Sequence, residues 1–208
     1  MTTVGSLFTG GGGLDLGLEE AGFVVAWGCE NDPDCRRVLA DRRPDLEVVP
    51  DVREVDEGMP SVDWLVGGFP CQDLSTAGKG AGLSGERSGL WNEMARCVRA
   101  LRPRGVIVEN VPGIFSKMGS RPRESAFGTV VADLAEIGYV GSWIRVSASD
   151  VGAPHRRDRV FIVATLADAG RASLQRGSDG RGVLDSEAAR AREGIQRQRR
   201  GDAARDGG

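Results

Sequence analysis

A short apolar run, a cluster of glycines and a helical segment open the chain, and that order constrains the fold more than anything after it. Val4-Gly5-Ser6-Leu7-Phe8 reads as a strand, Thr9-Gly10-Gly11-Gly12-Gly13 as a loop, and Leu14 to Ala21 as a helix. Strand, glycine loop and helix begin a nucleotide-binding βαβ unit. Glycines let the backbone approach a ligand closely at the helix N-terminus. The dinucleotide fingerprint Gly-x-Gly-x-x-Gly is not met in any register. The pattern is instead Phe8-x-Gly10-x-Gly12-Gly13-x-x-x-Gly17. Taken alone, such a loop is equally a plain turn.

The alternation continues. Phe23 to Cys29 reads as a second strand ending in Glu30, at the spacing from a glycine loop that suits a carboxylate on ribose hydroxyls. Pro33 starts a helix reaching about Asp41, and Pro44 stops it. Leu46 to Val49 reads as a third strand, followed by Asp51, and Val62 to Val66 as a fourth. Ser88 to Leu101 carries Leu90, Trp91, Met94, Val98 and Leu101 at helical spacing, with Ser88 as the N-cap and Cys97 as a small buried residue. Gly105 to Val108 is a β-branched run that ends in Glu109-Asn110-Val111-Pro112. Glu124 to Ile137 reads as a helix with Val130, Val131, Leu134 and Ile137 on its apolar face and Gly138 as its stop. Tyr139 to Val146 and Val160 to Ala164 read as the last strands. The expected fold is α/β, a doubly wound and mostly parallel Rossmann-like sheet.

The fourth strand runs into Gly67-Gly68-Phe69-Pro70-Cys71. Two glycines permit a sharp turn, and Pro70 fixes one torsion just before a thiol. Ligands of open α/β sheets bind at the carboxyl ends of strands, where this turn falls. On local grounds Cys71 is as readily a structural cysteine as a reactive one. The polar stretch Thr76 to Gly85 after it has the composition of a lid. Gly makes up 31 of 208 residues, about twice the usual share of roughly 7%, and much of the excess lies in these two loops.

Several functions are disfavoured. The cysteines are Cys29, Cys35, Cys71 and Cys97, with no Cys-x-x-Cys pair and with His155 as the sole histidine, a poor set for structural zinc. His155 sits in an arginine cluster away from any evident nucleophile, which argues against a Ser-His-Asp hydrolase. No signal peptide or long apolar span is evident, so a cytoplasmic protein with reduced thiols and no membrane partner is expected. The net charge is −3, so contact with nucleic acid must come from a local patch. Arg156, Arg157 and Arg159 lead into the last strand and suit an anion or a base edge. Residues 1–166 are expected to form one domain. Residues 167–208, rich in Gly, Ala, Arg and Asp, read as a polar linker or the start of a further region, disordered on its own.

In order and spacing these motifs resemble the DNA (cytosine-5) methyltransferase family, of the restriction-modification type, over about Val4 to Ala164. The glycine loop is similar to that family's cofactor loop. Gly68-Phe69-Pro70-Cys71-Gln72-x-x-Ser75 is similar to its nucleophile motif, Glu109-Asn110-Val111 to its Glu-Asn-Val motif, and Arg157-x-Arg159 to the end of its Gln-x-Arg-x-Arg motif. The resemblance implies S-adenosylmethionine as cofactor, contacted by Phe8, Gly10, Gly12, Gly13, Glu30, Asn31, Asp51, Val52, Pro70 and Leu90. It implies catalysis by Cys71, Glu109, Arg157 and Arg159 on a cytosine flipped out of double-stranded DNA. His155 stands where the family usually has glutamine, and Asn31 where many members carry an aromatic ring. Nothing in residues 167–208 is similar to the family's recognition domain or its closing motifs. Two alternatives follow: a split subunit that needs a second chain carrying the recognition region, and a transfer-RNA cytosine methyltransferase. Phe69 speaks against the second, because those enzymes tend to carry another proline before Pro-Cys.

Overall fold

The computed structural model describes residues 1–69, 89–117 and 125–167. Among them is a seven-stranded sheet. Its strands are β1 (Thr2–Leu7), β2 (Phe23–Cys29), β3 (Val48–Val49), β4 (Trp64–Gly67), β5 (Gly105–Asn110), β6 (Tyr139–Ser147) and β7 (Asp158–Leu166). The helices are α1 (Gly13–Glu20), α2 (Pro33–Arg42), α3 (Gly89–Leu101) and α4 (Ala126–Glu136). Strand order is β3-β2-β1-β4-β5-β7-β6. The pairings from β3 through β5 are parallel, and β7 runs antiparallel to both β5 and β6. The order reverses beside β1, so the carboxyl ends of β1 and β4 flank the switch point where such sheets take ligands.

Local chemistry sets the helix ends. Asp32 caps α2 by accepting from the backbone N–H groups of Asp34 and Cys35, and Pro33 occupies the first turn, where no N–H is needed. Ser125 caps α4 through the Gly128 N–H, and Gly138 turns the chain beyond it at φ 92°. The apolar stripe of α3 is buried as its spacing requires, through Trp91, Met94, Cys97 and Val98. On α4 the buried face runs through Ala126, Phe127, Val130 and Leu134, whereas Val131 is 41% exposed. Val131 follows Val130 by one residue and so points about 100° away from it. The third strand is shorter than its apolar run suggests, because Leu46 packs outside the ladder in a cluster with Val4, Leu18, Val25 and Val66. The fourth is displaced toward its glycines, Trp64–Gly67 rather than residues 62–66.

The main core lies on one face of the sheet. Trp27, Leu65, Val106, Val108 and Ile162 meet Met94 and Val98 of α3 and Val130 and Leu134 of α4. Full burial of such side chains contributes about 1.5–3 kcal/mol each. A Cβ on Gly5 would stand 2.3 Å from the Trp27 ring, so glycine is required within β1. Tyr139 donates its hydroxyl to the Pro103 carbonyl at 2.6 Å, and burial pushes its pKa up to about 12. Among the described residues no helix is long and apolar enough to cross a membrane. Ser88 and residues 168–208 lie outside the described residues.

Candidate active site

The turn after β1 is built around an unusual backbone. Phe8 has φ 55°, a conformation uncommon for a residue with a side chain and concentrated at functional sites. Thr9 ties it down: its N–H donates to the Cys29 carbonyl at 3.1 Å, and its hydroxyl accepts from the Cys29 N–H at 3.2 Å. Gly10 and Gly12 follow at φ 58° and 83°, with Gly12 as the N-cap of α1.

Glu30 stands just beyond β2 and is 8% exposed. One of its oxygens accepts from the Gly10 N–H at 2.7 Å and the other from the Asp32 N–H at 2.8 Å. The glycine loop and the acidic residue at the end of β2 are therefore in direct contact. Asn31 is exposed, and its carbonyl accepts from Arg36 at 2.6 Å. Asp51 caps the turn after β3 and pairs with Arg53 at 2.5 Å, and these bonds hold its carboxyl down at about 2. The Val52 side chain is buried in the core. Leu90, in the first turn of α3, packs partly buried against the same core.

The end of β4 meets the end of β5. A Cβ on Gly68 would fall 2.6 Å from Glu109 Oε2, so the glycine leaves the space that the carboxylate fills. Glu109 lies opposite Phe161 of β7, and Arg159 reaches it from two residues along the same strand face. Arg159 Nε and Glu109 Oε1 are 2.5 Å apart. Asn110 donates through Nδ2 to the Phe69 carbonyl at 3.3 Å, and Phe69 itself is buried against Trp91. The backbone entering Pro70 and Cys71 is thus gripped from two sides. Pro70, Cys71 and the lid stretch after them lie outside the described residues.

These parts share one cleft of about 530 Å³, whose lining includes Phe8, Gly13, Gly17, Gly68, Glu109 and Arg157. Gly10, Gly12, Glu30, Asn31, Asp51, Val52, Leu90 and Arg159 are not part of that lining. Burial holds the thiols of Cys29 and Cys97 protonated, at about 12 and about 11. Among the described residues no group of His, Cys, Asp and Glu is placed to hold a metal ion.

Sequence reasoning gave two contributors no role beyond a turn or motif membership and passed over two others. Gly68 and Asn110 adjoin residues it singled out, and their signal was membership of the same motifs. Arg96 donates to the carbonyls of Val52 and Val55, at 2.7 and 2.8 Å, and carried no local signal. Asp15, buried in α1, carried none either.

A family model of C-5 cytosine-specific DNA methylases matches residues 2–187. Type II methyltransferase M2.BsuMI of Bacillus subtilis is 38% identical over 77% of this chain and 41% of its own length. Type II methyltransferase M.AquIA of Picosynechococcus is 34% identical over 76% of this chain and 69% of its own. A crystal structure of a putative DNA modification methyltransferase encoded within an E. coli prophage superposes with a TM-score of 0.66 at 30% identity, covering 82% of this chain and 48% of that one. The chain thus spans less than half the length of the Bacillus relative it matches.

Proposed function

This chain belongs to the C-5 cytosine-specific DNA methylase family, and from that premise we propose that it transfers a methyl group from S-adenosylmethionine to carbon 5 of cytosine in double-stranded DNA. The observation that carries the reading is the cleft in which the glycine loop meets Glu109, Gly68 and Arg157. Its volume of about 530 Å³ falls within the ordinary range for small-ligand sites.

The residues present fit the cofactor. Gly10 and Gly12 take positive φ without steric cost, and Glu30 is a buried carboxylate pinned beside them. Phe8, Gly10, Gly12 and Gly13 would line the cofactor with backbone, and Glu30 would hold its ribose hydroxyls. Asn31, Asp51, Val52, Pro70 and Leu90 are proposed at its adenine side. Asp51 must loosen its pairing with Arg53 to reach a ligand, and Val52 contributes through the packing of its turn. S-adenosylmethionine, when bound, supplies an electrophilic methyl group.

The chain's own residues supply the rest. The Cys71 thiolate adds to carbon 6 of the ring, and the electron pair displaced from the 5,6 double bond makes carbon 5 nucleophilic. After carbon 5 takes the methyl group, a base accepts its proton, the C–H electron pair restores the double bond, and the C6–S bond breaks to release the thiolate. Cysteine suits both steps, being nucleophilic and a competent leaving group. Glu109 presents a carboxyl group to the ring nitrogen and the exocyclic amine. Arg159 pairs with that carboxylate, so it acts on the base by fixing Glu109 as well as by its own charge. Arg157, exposed on the cleft, adds the positive potential that favours a thiolate. A base stacked in a duplex is out of reach, so the cytosine must be flipped.

Trapping tests the assignment. A duplex carrying 5-fluorocytosine cannot lose a proton at carbon 5, so the wild-type chain with cofactor should form a covalent adduct and Cys71→Ser should form none. An adduct on the serine variant would overturn Cys71 as the nucleophile. A second reading has its own support, since the relatives extend well beyond the matched region: activity requires a recognition region, supplied in the same polypeptide or by a second chain. Transfer RNA as substrate is separated by competition against duplex DNA.

A further inference from the structure

Asp15 lies in the first turn of α1 with a relative exposure of 0%. No step proposed above uses it. A carboxylate so placed is costly unless partnered, and burial raises its pKa above the ordinary carboxylate value. It has two partners on different elements. Its Oδ1 accepts the Ser6 hydroxyl of β1 at 2.6 Å, and its Oδ2 faces Arg43 Nη1, at the end of α2, at 3.4 Å. Arg43 also pairs with Glu19 of α1.

The direction of these bonds matters more than their number. An ionised carboxylate only accepts, so the Ser6 proton is committed to Asp15. The Ser6 oxygens are then left as acceptors. Ser6 supplies two of the three acceptors within reach of the Thr9 hydroxyl, its carbonyl at 3.1 Å and its Oγ at 3.3 Å, and the third is the Cys29 carbonyl at 3.2 Å. With its own proton turned toward β1, Thr9 offers a lone pair to the Cys29 N–H at 3.2 Å. Hydrogen bonds aligned head to tail polarise one another. The relay runs from the Cys29 N–H through Thr9 and Ser6 to Asp15. Its members Ser6 and Thr9 bracket Phe8, the residue held at φ 55°, and Thr9 immediately precedes Gly10, which donates to Glu30. An apolar residue at position 15 would fill the same space without orienting any of these protons.

We propose that Asp15 is a positioning residue for the cofactor loop, terminating a directional relay through Ser6 and Thr9 that holds the Phe8–Gly12 turn in its binding shape. The inference rests on the reading of that turn as the S-adenosylmethionine site, and its test separates the two. Amide hydrogen exchange is measured on the chain without cofactor, and S-adenosylhomocysteine affinity by calorimetry, for wild type, Ser6→Ala, Asp15→Leu, Asp15→Asn and Ser6→Ala with Asp15→Leu combined. Ser6→Ala and Asp15→Leu should each speed exchange at Thr9, Gly10 and Cys29, leave Leu65 and Val106 unchanged, and weaken S-adenosylhomocysteine binding by about tenfold. Asp15→Asn, whose amide oxygen still accepts from Ser6, should restore most of both. The double variant should be no worse than either single one, because both cut the same relay. Unchanged exchange and affinity in Ser6→Ala, or losses that simply add in the double variant, overturn the role of Asp15. If Asp15→Leu does not fold, Ser6→Ala and Asp15→Asn carry the same comparison. Wild type that takes up no S-adenosylhomocysteine overturns the reading of the loop and the positioning role with it, whatever the exchange pattern.

Discussion

Gly68 and Glu109 are one feature seen from two strands. Glycine at the end of β4 is commonly explained by the turn it permits, yet here a Cβ would meet the Glu109 carboxylate at 2.6 Å. For Glu109 to move aside, its contact with Arg159 through the other oxygen has to be broken or shifted. Gly68→Ala is therefore expected to break the Glu109–Arg159 pairing and lower single-turnover methyl transfer by about a hundredfold, comparable to loss of one electrostatic stabiliser. Thermal unfolding should change by no more than about 1 kcal/mol, since the affected ion pair is near the surface. A variant with unchanged turnover would show that the carboxylate has room to relocate. Glu109 was legible from its place after an apolar run and within a Glu-Asn-Val triplet. The space it needs was not, because that space belongs to a residue 41 positions earlier.

At the scale of elements, α3 shows how far periodicity reaches. Trp91, Met94 and Val98 recur at helical spacing and are all buried at 0% exposure. Periodicity does not say what they are buried against. Trp91 packs against Phe69 with ring centroids 5.6 Å apart and planes tilted by 49°, and donates its indole N–H to Asp133 of α4 at 2.7 Å. The helix thus braces the segment that leads to Pro70 and Cys71. Trp91→Ala should cost about 3–5 kcal/mol in denaturant unfolding, as for other large core truncations. A cost below about 1 kcal/mol would mean that the core closes over the gap. On α4 the same reasoning misplaced Val131, since an apolar residue next to the stripe reads as part of it until a neighbouring element shows which face is covered. The edge of the sheet makes a similar point: among the described residues β6 pairs with β7 alone, and its Val140 and Ile144 are each 56% exposed.

For the molecule as a whole, Phe8, Glu30, Asp51, Gly68 and Glu109 stand at the carboxyl ends of β1, β2, β3, β4 and β5, with Arg157 and Arg159 around the start of β7. Recognition of a DNA sequence needs side chains at base edges as well as a reactive cleft. The Bacillus relative and the prophage-encoded methyltransferase each have more than half of their length outside the match. Adding a separate polypeptide that carries a relative's recognition region should raise affinity for its target duplex by about a thousandfold or more over the chain alone, in a binding titration at fixed salt. Sequence-specific methylation of duplex DNA by the chain alone would exclude that requirement.

The amino-acid sequence by itself determined the order of elements and the α/β class, and placed the strand ends to within about two residues. These are local matters: apolar periodicity, β-branched runs, glycine at the turns and proline at helix ends act within a few residues of themselves. The sequence also carried the motifs that name the family's chemistry. Only the tertiary structure decided which distant groups share an atom: Glu30 with the Gly10 N–H, Glu109 with Gly68 and Arg159, Asn110 with the Phe69 carbonyl, and Asp15 with Ser6 and Arg43. A hydrogen bond or ion pair depends on distances of a few ångströms between residues tens of positions apart. Such distances are settled when the parallel strands take their register and the helices close over the sheet.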